Sequence, residues 1–326
     1  MPGVKEQLVT KDYSIYCGDS CQVIKDLPDE SVGFIVYSPP FAELYSYSDA
    51  DEDMGNSRTY KEFFEHYRYL ARELFRVLMP GRLHAIHCMD LPMFKSKGED
   101  IGLKDFPGDI VRMMKKIGFV PFSHHCIWKD PLIAATRTKA IGLAHKQIVK
   151  DSAFCRMGTA DYIWAFRKPG ENPKPIEHPE GLTEYPGSTP IPSNLDRFNF
   201  IHPITGEPWS PKTNKRSHWI WQKIASPVWM DIRQGRVLPY KAGRDKDDQK
   251  HVCPLQLDTI ERCLILWSAP GDIVLSPFMG CGTEVYVAVG MGRKGVGIEL
   301  KLSYWKQARA NLEMLKLKHR ARKLVS

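Results

Sequence analysis

Gly271-Asp272-Ile273-Val274-Leu275-Ser276-Pro277-Phe278-Met279-Gly280-Cys281-Gly282-Thr283-Glu284-Val285-Tyr286-Val287-Ala288-Val289-Gly290-Met291 decides the fold. Its opening, Gly271 to Leu275, reads as a short strand, and Glu284 to Met291 reads as a buried helix. Between them lies a glycine-rich turn. Strand, glycine turn and helix together bind a nucleotide-like ligand at the carboxyl edge of a doubly wound sheet. The glycines let the backbone approach that ligand closely. The next apolar run, Lys294 to Ile298, predicts a second strand ending in Glu299, 17 residues after Gly282. An acid at that strand tip is placed to hold a ribose diol. Gly280-Cys281-Gly282-Thr283-Glu284-Val285 lacks the third glycine of the dinucleotide fingerprint and comes late in the chain, which argues against a nicotinamide oxidoreductase.

A second turn near the other end supplies the chemistry. Phe34-Ile35-Val36-Tyr37 reads as a buried strand and runs into Ser38-Pro39-Pro40-Phe41. Two prolines fix φ and remove two N–H donors, so this rigid turn presents acceptors: the Ser38 hydroxyl and the Pro39 carbonyl. With the Phe41 ring beside them, the set suits an exocyclic amine on a stacked, flipped-out base. Hydrogen bonds from the amine to these oxygens would localise its lone pair and stabilise the charge that develops on nitrogen. This chemistry nominates no general base, and His66, His84 and His87 carry no assignment. Cytosine-C5 chemistry needs a cysteine nucleophile, classically after proline, and the chain has no Pro-Cys dipeptide.

With both turns read, most of the chain resembles the S-adenosylmethionine-dependent amino-group DNA methyltransferases, in the permuted order where the catalytic turn precedes the cofactor turn. Ser38-Pro39-Pro40-Phe41 is similar to their catalytic motif, and Pro277-Phe278-Met279-Gly280-Cys281-Gly282-Thr283 to their Asp-Pro-Phe-x-Gly-x-Gly-Thr motif. His251-Val252-Cys253-Pro254-Leu255-Gln256 is similar to the segment opening the preceding helix, Gly297-Ile298-Glu299 to the ribose acid, and Gly18-Asp19 to the acidic turn near adenine. One position departs: Ser276 stands where the family usually has aspartate. The resemblance implies a Rossmann-like, doubly wound mixed α/β sheet with an inserted target-recognition region. It implies S-adenosyl-L-methionine as cofactor, held by Asp19, His251, Pro277, Phe278, Gly280, Gly282, Thr283 and Glu299. Ser38, Pro39, Pro40 and Phe41 become the catalytic set. Ser-Pro-Pro-Phe is commoner among cytosine-N4 enzymes and Asp- or Asn-Pro-Pro-Tyr among adenine-N6 enzymes, so Ser38 favours cytosine N4, with adenine N6 the alternative. Remoter alternatives are RNA or protein-amide methylation and a non-catalytic DNA-binding relative.

Charge and composition fit double-stranded DNA as partner. The net charge of +8 is concentrated: residues 201–250 hold ten Lys or Arg against five acids, and 301–326 hold eight against one. Those stretches carry +12 together and leave −4 elsewhere, a basic minority on a mildly acidic body. Aromatics interleave the first: Trp209, Trp219, Trp221, Trp229 and Tyr240. Candidate DNA contacts are Arg137, Lys139 and Arg156 in one loop, and Lys212, Lys215, Arg216, Arg233, Arg236 and Arg244 in the other. Ten of the 24 prolines lie in residues 169–211, a density that opposes regular structure. The expected division is therefore a catalytic unit of residues 1–169 and 251–326 and a target-recognition insertion of 170–250. A cognate restriction system would be a natural partner.

No apolar run reaches the ~18 residues of a membrane span, and the N-terminus lacks a signal-peptide apolar region. Eight cysteines without a Cys-x-x-Cys imply reduced thiols and no zinc site. His124-His125-Cys126 alternate faces if they lie on a strand, so no metal is expected there. The implied setting is the cytoplasm of a bacterial or phage-infected cell. Further strands are predicted at 13–16, 83–88, 123–128 and 162–166. Helices are predicted at Tyr60–Leu78 (stopped by Pro80-Gly81), Phe106–Ile117, Pro254–Trp267 and Lys301–Leu317. Residues 42–58, with Tyr45, Tyr47, Asp49 and Arg58, read as a mobile loop beside the site.

Overall fold

The computed structural model describes residues 3–42, 44, 53–93, 98–132, 143–179, 181–195, 214–243 and 254–325. Its strands are β1 (Glu6–Val9), β2 (Tyr13–Cys17), β3 (Val32–Tyr37), β4 (Leu78–Met89), β5 (Leu91–Pro92), β6 (Leu103–Lys104), β7 (Val120–Ile127), β8 (Asp161–Arg167), β9 (Val228–Trp229), β10 (Ile273–Ser276) and β11 (Lys294–Glu299). The helices are α1 (Ser20–Val23), α2 (Tyr60–Val77), α3 (Phe106–Ile117), α4 (His145–Lys150), α5 (Lys215–Ile224), α6 (Leu257–Trp267), α7 (Thr283–Gly290) and α8 (Leu302–Val325).

Nine strands form one mixed sheet in the order β1-β2-β11-β10-β3-β4-β8-β7-β9. β2, β11, β10, β3 and β4 run parallel, while β1, β8 and β7 join by antiparallel pairings. From β10 the chain crosses through α7 to β11 on one side. From β3 it crosses through α2 to β4 on the other side. The crevice above β10 and β3 is therefore the switch point where open α/β sheets bind ligands.

Both faces of the central strands are covered, which is why β3 is apolar throughout. Ile35 and Tyr37 pack with Phe63, Tyr67, Leu70 and Leu74 of α2, while Phe34 and Val36 pack with Ile260 and Leu264 of α6. α2 buries Phe63, Tyr67, Leu70, Ala71, Leu74 and Val77, a single stripe at helical spacing, and Thr59 caps it by accepting from the Glu62 N–H at 3.1 Å. α3 starts at the Asp105 cap and ends at Gly118 with φ 119°, as its sequence predicts.

Two expectations change. α2 ends at Val77, and β4 begins at Leu78 instead of after Pro80-Gly81. The β3–β4 register shifts between Val32 and Phe34, and Gly81 (φ 70°) absorbs the irregularity inside the strand. The insertion is also less separate than its prolines suggest. α5 is regular, and β9 extends the main sheet by pairing Trp229 with Ile127. Trp229 is fully buried with Trp267 and Ile260, so the segment 214–243 shares the catalytic core instead of forming its own.

Candidate active site

The sheet order sets four turns side by side along its carboxyl edge. Gly18-Asp19 follows β2, Glu299 ends β11, the glycine turn follows β10, and Ser38 follows β3. The Gly18 N–H donates to the Glu299 carbonyl at 2.9 Å, and the Ser20 hydroxyl donates to the Pro277 carbonyl. Asp19 caps α1 by accepting from the Cys21 N–H at 2.9 Å. Glu299 accepts from the Gly280 N–H at 2.8 Å through Oε2 and from the Lys301 N–H at 2.9 Å through Oε1. Burial nonetheless pushes its carboxyl up to about 7, those two N–H groups opposing the shift and Asp53 adding to it.

The glycine turn needs its glycines. Gly280 and Gly282 adopt φ of 53° and 87°, conformations that L side chains rarely take. A Cβ on Gly280 would meet nothing within 4 Å, so the turn faces open space there. Pro277 and Thr283 are buried beneath it. Phe278 sets its ring edge against Tyr37 at 5.5 Å, which joins the glycine turn to the strand that ends in Ser38. Tyr37 is itself pinned by a 2.7 Å hydroxyl contact to Tyr67 of α2, both fully buried, and burial raises both phenols above their ordinary range.

Behind Ser38 runs a polar chain that the sequence reading missed. The Ser38 hydroxyl lies 3.0 Å from His87 Nδ1, and His87 Nε2 lies 2.9 Å from Asp161 Oδ2. The same carboxylate oxygen pairs with the Lys129 ammonium. Burial would raise the Asp161 pKa, but Lys129 and His87 overcome that and hold it well below the usual carboxylate range. An ionised Asp161 accepts from His87 Nε2–H, which leaves Nδ1 bare to accept from Ser38. In that tautomer the serine oxygen keeps its lone pairs for an incoming donor. Register was the missing signal: Tyr37 pairs with Ile86, so His87 stands opposite Ser38, and Met89 pairs with Asp161 at the same edge. Phe41 is half-buried, edge-on to His87 at 6.3 Å and to Phe106 at 6.2 Å.

The cationic candidates scatter. Arg137, Lys139, Lys212 and Arg244, and also His251, lie outside the described residues, as do Tyr45, Tyr47, Asp49 and Trp209. Lys215 is exposed in the first turn of α5, and the Arg216 guanidinium donates to the Thr183 carbonyl at 3.2 Å. Arg156 is half-buried, and burial lowers its pKa. Arg233 and Arg236 have a different task from the one their charge suggests. They pair with the fully buried Asp258 at 2.6 and 2.5 Å, and Arg236 also grips Glu261. That clamp fastens the insertion to α6. His124 stacks on Trp164 at 4.2 Å and His125 on Trp229 at 4.6 Å, on opposite faces of β7. Among the described residues no group of three His, Cys, Asp or Glu could hold a metal ion, and no helix is long and apolar enough to cross a membrane.

A doubly wound sheet with a nucleotide-binding turn and an acceptor turn on adjacent strands defines a Rossmann-like group-transfer enzyme. The chain belongs to the N6/N4 DNA methylase family, whose model matches residues 32–310. It is 24% identical over 301 residues to the type II methyltransferase M.XycI of Xanthomonas campestris pv. cyanopsidis, covering 92% of this chain and 87% of that protein. A 112-residue stretch, 34% of this chain and 40% of the relative, is 39% identical to the type II methyltransferase M1.MboII of Moraxella bovis. In fold it is similar to PvuII DNA methyltransferase (cytosine-N4-specific), with a TM-score of 0.61, 16% identity, and coverage of 94% and 89% of the two chains. It is likewise similar to TTHA0409, a DNA modification methylase of Thermus thermophilus complexed with S-adenosyl-L-methionine, with a TM-score of 0.60, 22% identity, and coverage of 92% and 93%.

The residues present fit S-adenosylmethionine. Asp19 and Glu299 offer acids on neighbouring strand tips, and Gly280 opens onto free space. The buried Ser276 hydroxyl and Glu284 Oε2 beneath the turn lack hydrogen-bond partners.

Proposed function

We propose that this protein methylates the exocyclic N4 amine of a cytosine flipped out of double-stranded DNA, using S-adenosyl-L-methionine held by Asp19, Glu299 and the turn Pro277 to Thr283. The observation that carries the proposal is the Ser38 turn, backed by His87, Asp161 and Lys129, on the strand adjacent to the glycine turn. When bound, the cofactor supplies a methyl group already activated on a sulfonium. The protein's part is alignment and charge stabilisation. Ser38 Oγ, its own proton given to His87 Nδ1, accepts from one amine N–H, and the Pro39 carbonyl accepts from the other. Nitrogen is drawn toward tetrahedral geometry with its lone pair facing the methyl. As positive charge grows on nitrogen, the two oxygens stabilise it. The amine proton leaves through Ser38 toward His87, and Asp161 stabilises the resulting imidazolium. Phe41 and the open side of the crevice would flank the base.

A neutral serine, not an aspartate, in the acceptor turn favours cytosine N4 over adenine N6. Lys215 and the neighbouring basic stretch would hold phosphates. The relatives named type II methyltransferases support a cognate endonuclease that recognises the same site.

The test is nucleoside mass spectrometry of unmethylated DNA incubated with the protein and cofactor. N4-methyldeoxycytidine is expected. N6-methyldeoxyadenosine would overturn the base assignment alone, and no methylated nucleoside on DNA of varied sequence would overturn the activity. Ser38→Ala should lower kcat about 10²- to 10³-fold while leaving DNA binding intact.

A further inference from the structure

Ser276, the last residue of β10, occupies the place that the resembled motif gives to aspartate, so this chain lacks an acid at the root of its glycine turn. An acid lies beside it all the same. Glu284, in the first turn of α7, is 4% exposed, and its carboxyl is near enough to the fully buried Ser276 hydroxyl to be influenced by it. Glu284 Oε2 and Ser276 Oγ both lack a hydrogen-bond partner. A buried polar atom left unsatisfied costs about 1–3 kcal/mol, so two together in one place ask what they are kept for. Burial, reinforced by Glu299, pushes the Glu284 carboxyl up to about 8, against its own backbone N–H and Ser276, which act the other way.

The location says what ligand group would meet them. Glu299 ends β11, Ser38 follows β3, and β10 lies between those strands. A cofactor whose ribose is held at Glu299 and whose methyl is presented at Ser38 must cross the end of β10. Its amino-acid portion, with a cationic ammonium, then lies over the turn that roofs Ser276 and Glu284.

We propose that Glu284 takes over the charge missing at Ser276 and holds the cofactor's ammonium, the acid having moved from the strand end to the first turn of the following helix. This rests on the S-adenosylmethionine reading above. The arriving cation compensates the cost of ionising a buried carboxyl, and the Ser276 hydroxyl donates to the carboxylate once it is charged.

Titration calorimetry on the full chain tests the proposal with two ligands that differ in the group concerned. S-adenosylhomocysteine carries the ammonium, whereas 5′-methylthioadenosine lacks the whole amino-acid portion. Glu284→Gln should weaken S-adenosylhomocysteine about 10- to 100-fold, the range for a hydrogen bond to a charged group, and leave 5′-methylthioadenosine within about 2-fold. Adding Ser276→Asp to that variant should restore most of the lost affinity. Equal weakening of both ligands, or none, overturns the role of Glu284 while the cofactor reading stands. Failure of the unaltered protein to bind either ligand overturns the cofactor reading and Glu284's role with it. If Glu284→Gln does not fold, Glu284→Asp replaces it. Retained preference for S-adenosylhomocysteine over 5′-methylthioadenosine, weakened by the shorter reach, is then expected, and an unchanged preference overturns the role.

Discussion

A serine hydroxyl is both donor and acceptor, and the use of Ser38 depends on which role its neighbours leave open. His87 decides this, because Asp161 and Lys129 fix which ring nitrogen carries the proton. His87→Phe preserves the ring beside Phe41 but removes both hydrogen bonds, so Ser38 is free to rotate its proton toward the amine. Steady-state kinetics on DNA should then give a kcat reduced about 10²-fold, with KM for the cofactor unchanged, since His87 lies on the β4 side of the crevice. A raised cofactor KM with normal kcat would instead mean that the ring only supports the pocket. Tyr37 makes the same point one residue earlier: its hydroxyl has a single buried contact, Tyr67, and that contact sets where the turn begins.

Elements explain what could and could not be read from the chain. β3, β10, β11, α2 and α3 carry their own signals in apolar runs, caps and glycine ends, and both functional turns follow directly from such strands. β9 is two residues long and exists because Cys126 and Ile127 present an edge to Val228 and Trp229, a fact no local pattern encodes. The His87–Asp161 pair is equally silent in sequence, being made by the β3–β4 and β4–β8 registers. The basic insertion misled for another reason: charge in a sequence does not say whether a partner acid is near. Arg262 of α6 is fully buried, pairs with Asp231 at 2.6 Å, donates to the Pro186 carbonyl at 2.7 Å, and lies between the Tyr185 and Trp229 rings, each 5.3 Å away. This latch fastens the insertion to the core. Arg262→Leu should cost about 3–5 kcal/mol in urea unfolding, because Asp231 keeps its charge without its partner. A change no larger than that of an exposed arginine, such as Arg112→Leu on α3, would mean that the insertion is anchored elsewhere.

For the molecule as a whole, the acids fall into two groups with opposite effects on stability. Asp161 and Asp231 are buried, but their cationic partners hold them below the usual carboxylate range. Their contribution is present above the unfolded-state value of about 4 and is lost as pH falls toward their folded values. Glu284 and Glu299 lie on the opposite side, raised to about 8 and about 7 chiefly by burial. Between about 4.3, where an unfolded glutamate titrates, and those values, the folded protein binds more protons than the unfolded chain. Stability therefore falls with rising pH across that window. The cofactor-free protein should accordingly melt at steadily lower temperature from pH 5 to 8, with the slope easing above 8. Glu284→Gln cannot ionise, so its melting curve should lose most of the slope between pH 7 and 8, where Glu299 no longer contributes. Saturating S-adenosylhomocysteine should flatten the unaltered protein's slope in the same interval, because the ammonium makes the charged carboxyl the favoured form. Differential scanning fluorimetry at constant ionic strength reads all three. Identical slopes for the variant and the unaltered protein between pH 7 and 8 would show that Glu284 is not the group that titrates beneath the glycine turn.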